Sequence, residues 1–412
     1  MRTSHVFLSA AASLLVLSVS APGWARDAAA EATADENAAP AEKAEIGAWG
    51  IDLSARDMSV SPGADFFRYV NGHWLDTVEI PEDRSRYGSF DILRERSDNQ
   101  VHAILDDLAA RGDGADALDQ KVGAFYAAWM NQTAIEKLGT KPLAPYLAKI
   151  KAVEDRAGLL KLFGTVGYAS PVGVGTLPDP ANPTRYVVAA GQAGLGMPSR
   201  DYYLKEGAEY DMFRAAYRDY LIKIQELAGI GDAAARADRI IALETALAKS
   251  QWEPERQRDI KQIYNPMNRE QLMELAPEFD WTSWLEASGF GKVDTIIAAE
   301  TTAITASGKL LETVPVSTWK DYLTAHFISD NADYLPKAFD EAKFSFFSKA
   351  LRDIPVQKER WKRGVDLVNN HIGEAIGQKY VDRHYPAESQ RQQERLDGCS
   401  DPQRSAKEAR RF

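Results

Sequence analysis

Apolar residues along this chain recur mostly at intervals of three and four, the spacing that puts them on one face of an α-helix. In RWKRGVDLVNNHIGEAIGQKYV, residues 360–381, Trp361, Val365, Val368, Ile372, Ile376 and Tyr380 form one such stripe. In DAAARADRIIALETALAKSQW (232–252), Asp232 stands as an N-cap and Ile240, Leu243 and Leu247 share a face. STWKDYLTAHF (317–327) opens on a Ser/Thr cap and carries Trp319, Leu323 and Phe327 at four-residue spacing. The windows 119–131 and 210–230 read the same way. Strand-like alternation is scarce, and RYVVAAGQ (185–192) is the best candidate for a short strand or hairpin edge. Gly- and Pro-rich segments at 170–184 and 192–200 predict a long surface excursion between helices. No repeat of fixed period is present. The pattern predicts a mainly α protein with a few short strands.

The helical pattern runs from Trp49 to Pro386, and different sequences flank it. Residues 1–25 have the form of a signal peptide. Arg2 gives a positive start, VFLSAAASLLVLSVSA (6–21) an apolar run short for a bilayer span, and Gly23 and Ala25 a small-residue cleavage site. The mature chain is therefore expected in a periplasm or secreted, with membrane attachment only through an uncleaved signal. Residues 26–48 are Ala/Glu-rich with almost no large apolar side chain, which predicts a disordered linker. Residues 387–412 are polar, basic and unpatterned.

Composition narrows the function classes. The 412 residues are 45% hydrophobic and 26% charged, as suits a globular protein of one large or two ordinary domains. A net charge of −11 leaves no electrostatic footprint for nucleic acid. The single cysteine, Cys399, excludes an internal disulfide framework and a cysteine-built zinc site.

The stretch around His371 and Glu374, with Asp382 and His384 beyond, has the raw materials of a metal site. Two neighbours three apart do not make one, because a catalytic zinc takes three protein ligands. None of the six histidines is followed by Glu, so no H-E-x-x-H occurs, and no H-x-x-E-H occurs either. His371 reads as a residue on the flank of a helix. A G-x-S-x-G elbow, a phosphate-binding loop and a dinucleotide fingerprint are also absent from the sequence. Asp106 and Asp107, beside Ile104, Leu105 and Leu108, read as a solvated helix face. No catalytic and no metal residue is assigned.

The segment DFFRYVNGHWLDTVEIPEDRSRYGSFDILRERSDNQVHAIL, residues 65–105, carries a resemblance. Asp65-Phe66-Phe67, Tyr69, Asn71-Gly72 and Trp74, then Ile80-Pro81, then Arg86-Tyr87-Gly88 with Phe90, closely resemble the N-terminal region of the neprilysin and endothelin-converting enzyme family of zinc metallopeptidases. GLGMPSRDYYL (194–204), RDIKQIYNPM (258–267), FDWTSWL (279–285) and the 360–381 stretch follow in the family's order. The resemblance covers residues 49–386.

This resemblance implies a multi-helix lobe that encloses peptide substrates within a chamber. It implies that Arg86 pairs with the terminal carboxylate of a short peptide, with Asp91 and Arg94 in the same wall. The chemistry suits the arginine, because a guanidinium fork meets a carboxylate in two parallel hydrogen bonds. An ordinary salt bridge from Arg86 to Asp91 is the structural alternative. Arg200, Asp201 and Tyr202 are expected to fix a loop, Gly72 and Gly88 to serve turns, and Trp74 to lie in the core.

The family's zinc ligands lie on helices C-terminal to all these motifs, so no cofactor is expected in this chain. Zinc would belong to a catalytic C-terminal half. A premature stop, a shifted reading frame or a divergent natural end would each leave a tail such as 387–412. Two function classes follow: the lobe of an exported zinc endopeptidase, inactive alone, or a free-standing helical module that binds peptides or proteins. In the first, Trp74 and the Trp361–Tyr380 stripe are expected to lack part of their cover.

Overall fold

The computed structural model describes residues 52–112 and 116–385. The expected signal peptide, linker and polar tail lie outside the described residues. The chain divides into two compact units, one ending at Pro81 and one running from Glu82.

In the first unit, helix α1 (Phe66–Thr77) starts at Asp65, whose carboxylate accepts from the Arg68 amide. That contact satisfies one of the orphan donors of a helix start. Arg68 reaches two turns along to Asp76, at 2.6 Å. Gly72 does not serve a turn: it is buried in the middle of α1, where a Cβ would fall 2.3 Å from Asp57 Cβ. Trp74 is half-buried, whereas Phe66 and Phe67 are exposed.

The second unit is built mainly of helices, as the periodicity predicts. Those that matter below are α2 (Ser89–Arg111), α3 (Ala117–Met130), α4 (Ala208–Leu227), α5 (Ala233–Ser250), α6 (Val316–Asn331), α7 (Lys337–Phe344) and α8 (Arg360–His384). Two helix starts differ from expectation. Asp232, before α5, adopts a left-handed backbone with φ 56° and makes no side-chain cap. At α6 the cap position is Pro315, and Thr318 is buried within the helix.

Four strands form one sheet: β1 (Val172–Asp179), β2 (Asn182–Gln192), β3 (Pro266–Met267) and β4 (Ile296–Ala298), in the order β1-β2-β4-β3. β2 contains the predicted strand and pairs antiparallel with β1, from Val172 opposite Gln192. The segment 170–184 is therefore not a surface excursion throughout, because β1 occupies most of it. β4 joins β2 in parallel and β3 pairs antiparallel with β4.

Two hydrophobic cores hold this unit. The larger gathers Trp281, Trp284, Trp319 and Tyr322 with the apolar faces of α4, α5 and α6. The smaller joins α2, α3 and α8 through Val101, Leu105, Val122, Tyr126, Val365 and Val368. Of the Trp361–Tyr380 stripe, Val365, Val368 and Ile376 are buried within this chain, whereas Trp361, Ile372 and Tyr380 stay half-buried. Gly123 and Gly364 allow the close approach: a Cβ on Gly123 would fall 2.5 Å from the Leu108 carbonyl oxygen, and one on Gly364 2.7 Å from Tyr126.

Candidate functional site

The segment Glu82–Gly88 leads into α2 and carries three of the charges that matter, Asp83, Arg84 and Arg86. Gly88 stands at the start of α2 with extended backbone, φ −169°, a conformation open to any residue. Its carbonyl accepts from the Asp91 and Ile92 amides and opens the helix. Asp91 then lies in the first turn, where the helix dipole favours a negative charge. Arg94 and Asp98 follow on the same face, about one turn apart.

Arg84 and Arg94 are both locked. Arg84 Nε lies 3.1 Å from Asp83 and its Nη2 2.8 Å from Glu95 Oε1. Burial works against this cation, but the Asp83 hydrogen bond and the charges of Glu95 and Asp83 hold its pKa above the ordinary value. Tyr87 donates to the other Glu95 oxygen at 3.1 Å. Burial and that contact raise the phenol's pKa. Arg94 reaches across to α8, where its Nη2 donates to Asp366 Oδ1 at 2.5 Å. The Asp366 charge holds the Arg94 pKa up against burial.

Arg86 is different. It is exposed, and no hydrogen bond or ion pair joins it to any described residue. The ordinary pairing with Asp91 does not form. Of the three sequence-predicted residues, Arg94 is tied to α8, Asp91 is half-buried at the helix start, and Arg86 is exposed with no hydrogen bond or ion pair to either. Phe90, which directly precedes Asp91, is 89% exposed.

A cleft of about 300 Å³ is lined by Arg84, Glu95, Asp98, Lys358, Trp361 and Lys362, and Arg86, Asp91 and Arg94 are not in its lining. Its charges largely cancel: Lys362 lies 3.6 Å from Asp83 and 3.1 Å from Glu359. Burial pushes the Asp98 carboxyl up in spite of Arg94. The indole of Trp361 stacks on His102 with 4.2 Å between ring centres. Arg84, Glu95, Lys362 and Asp366 were not singled out by the sequence. Their only local signal is a high density of alternating charge, which does not say which arginine stays unpaired.

The residues first considered for metal do other work. His371 Nδ1 donates to the Leu367 carbonyl at 2.9 Å, and its ring lies 6.0 Å from Phe125 and 6.5 Å from Tyr334. Just beyond it α8 breaks helical geometry at Ile372, so the regular spacing to Glu374 is lost. Among the described residues no three His, Cys, Asp or Glu side chains gather around a common point. Those residues do not fit a zinc ion, which needs three such donors at once. Asp107 is not simply solvated, since it pairs with Arg111 and with Arg383 of α8. Arg200 fixes its loop as expected, donating to Glu253 at 2.9 Å.

Residues 62–396 match the sequence profile of peptidase family M13. Endothelin-converting enzyme 1 of Rattus norvegicus is 27% identical over 353 residues, which cover 82% of this chain and 46% of that protein. Endothelin-converting enzyme-like 1 of Mus musculus is 26% identical over 365 residues, covering 84% and 47%. The chain thus spans about half the length of these curated relatives. The crystal structure of the Mycobacterium tuberculosis zinc metalloprotease ZMP1 with an inhibitor superposes with a TM-score of 0.78 at 33% identity. That match covers 85% of this chain and 54% of the other. PepO from Lactobacillus rhamnosis, at 18% identity and a TM-score of 0.68, shares the fold.

Proposed function

The chain belongs to peptidase family M13, and from that premise we propose that it supplies the peptide-enclosing lobe of an exported zinc metalloendopeptidase. Its part in peptide hydrolysis is to bind and orient the substrate. The 412 residues hold no H-E-x-x-H, and the described ones do not fit zinc, so no bond-breaking step is assigned to them. Zinc and the general base would belong to a catalytic half joined to this lobe or supplied separately, and this chain alone is inactive. Export rests on residues 1–25 as a signal peptide, with the periplasm or the exterior as destination.

The observation that carries the substrate role is the contrast among three neighbouring arginines. Arg84 and Arg94 are neutralised by fixed carboxylates, whereas Arg86 is exposed and has no partner among the described residues. A free guanidinium fork takes a peptide C-terminal carboxylate in two parallel hydrogen bonds. In this reading Asp91 and Arg94, a few residues on in α2, belong to the same wall. Phe90, at the start of the same helix, is exposed and offers apolar surface to a substrate side chain.

A second reading, a free-standing module that binds peptides or protein partners without catalysis, is favoured by one observation. The core of α2, α3 and α8 forms within the chain around Val365, Val368 and Ile376, so half of the stripe expected to await a partner is already buried.

The test uses the full chain. Short peptides are titrated as free acids and as C-terminal amides, and zinc content and proteolysis are measured on the same preparation. The acid form should bind more tightly. Arg86→Ala should weaken it by about ten- to hundredfold, the worth of a charged hydrogen bond, and weaken the amide less. Equal losses for acid and amide would rule out the carboxylate clamp. One tight zinc per chain with chelator-sensitive cleavage would show that the chain carries its own chemistry. Clamp-like binding without any gain of hydrolysis on adding a catalytic half would favour the binding module.

A further inference from the structure

A second cavity, of about 320 Å³, lies in the larger core, away from α2. Leu195, Tyr217, Leu221, His326, Lys343 and Phe347 are among its lining. Its walls come from α4, α6, the end of α7, and the π-helical turn Ser345–Ala350 that continues α7. Such turns concentrate at functional positions. This one turns Phe346 onto Tyr217 and Tyr220, with ring centres 5.2 and 5.5 Å apart, and leaves Phe347 at the cavity wall.

Behind the wall sits Glu244 of α5, fully buried. It accepts from Tyr203 at 2.7 Å, Tyr217 at 3.1 Å and His326 Nε2 at 2.6 Å. Three donors keep a buried carboxylate satisfied. Glu244 does not line the cavity, so the Nε2 edge of His326 is committed behind the wall. The other ring nitrogen, Nδ1, has no hydrogen bond to any described residue and is not fully buried.

The groups around the ring fix its charge. Burial disfavours the imidazolium, but the hydrogen bond and charge of Glu244 outweigh it and raise the His326 pKa, with a smaller contribution from Asp330. Tyr322, whose ring centre lies 4.1 Å away, and Tyr203 and Tyr217 are pushed well above their ordinary values by burial and stay neutral. Lys343 is the other cation of the lining, held by Asp333 at 2.7 Å. Asp330 lines the cavity from an exposed position and is the one carboxylate there.

We propose that this cavity is a binding site for a small carboxylic acid with an aromatic or branched apolar body. The ligand carboxylate accepts from His326 Nδ1–H, and Lys343, held by Asp333, offers its remaining N–H donors. The apolar part rests on Leu195, Leu221 and Phe347. The cavity volume falls within the range of small-molecule sites. Discrimination follows from the second ring nitrogen: the charged imidazole donates there, and the neutral one, still donating through Nε2, turns acceptor and repels a carboxylate. Affinity is therefore lost as pH rises through the raised His326 pKa.

Isothermal titration of the full chain with benzoate, benzamide and benzylamine tests this. Benzoate should bind saturably, about tenfold or more tighter than benzylamine, with benzamide between. Raising the pH through the His326 transition should weaken benzoate, measured while circular dichroism shows the chain still folded. His326→Gln, which keeps a donor for Glu244, and Leu195→Trp, which fills the cavity from a half-buried position, should each reduce benzoate affinity about tenfold or more. Preference for benzylamine, absence of saturable benzoate binding, or benzoate binding unchanged in a folded Leu195→Trp chain would overturn the proposal.

Discussion

Arg94 on α2 and Asp366 on α8 meet at 2.5 Å although 272 residues separate them in sequence. That pair stands with Lys379–Asp119 at 2.8 Å and Tyr380–Gln100 at 2.8 Å, which also tie α8 to α2 and α3. Arg94 therefore works on the fold, whatever else it meets. The Arg94 side chain is 60% exposed, so water screens the pair. Arg94→Ala is expected to cost about 1 kcal/mol or less in denaturant unfolding. It should leave the ratio of acid to amide peptide binding unchanged. A large drop in that ratio with unchanged stability would move Arg94 into the substrate clamp.

How much of this was legible in the sequence depends on how far apart the determining residues are. The stripe of α8 and the face of α5 were readable because each is a local periodicity, and a helix face is written at spacings of three and four. What covers the stripe was not, because periodicity says that a face is apolar and not which helix meets it. β1 was missed because Gly173, Gly175 and Pro178 read as a loop, and its pairing with β2 overrides that propensity. Arg86 was singled out only through the family resemblance, and nothing local separates it from Arg84. The Glu244–His326 contact joins two helices 82 positions apart. Glu244 follows Leu243 in an amphipathic pattern and looks like an ordinary polar flank.

That buried pair makes stability depend on pH with a defined sign. In the unfolded chain His326 titrates near its ordinary value of about 6.5. In the fold, burial alone would lower it, but Glu244 raises it above that value. Between the two values the folded state holds more protons, so stability is fully present below the unfolded value and lost as pH rises through the folded one. Melting temperatures measured upward from about pH 6 should fall across that window. His326→Gln should remove this component of the slope. An unchanged slope in the variant would show that the fall belongs to other groups.

Exposed apolar side chains predict weak self-association. Phe90 is 89% exposed, and Ile92 and Leu93 of the same helix start are 39% and 46% exposed. Removing apolar area from water gains roughly 25 cal/mol per Å². The full chain should give a helical circular-dichroism spectrum and bind a hydrophobic dye, and light scattering should show concentration-dependent association. Phe90→Ser should lower both dye binding and scattering without changing the helical signal. A strictly monomeric wild-type chain that binds no dye would show that this surface is harmless.

Two glycines of α8 give opposite expectations and test whether that helix belongs to the fold of this chain. A Cβ at Gly364 would lie 2.7 Å from Tyr126 Cε2 and 2.9 Å from Trp129 Cδ1, two rings that are buried and cannot swing away. Gly364→Ala should therefore overpack the core of α2, α3 and α8 and cost about 1–3 kcal/mol. A Cβ at Gly377, three turns along, would meet nothing within 4 Å. There alanine only restricts the unfolded backbone and favours the helix, so Gly377→Ala should stabilise by about 0.5–1 kcal/mol. Both changes are read as shifts in the midpoint of denaturant unfolding. If α8 were held only by a partner absent from this chain, Gly364→Ala would behave like Gly377→Ala, because in both positions the gain in helix propensity would be the whole effect. Opposite shifts, of the sizes given, require that α8 is packed on α2 and α3 in the free chain.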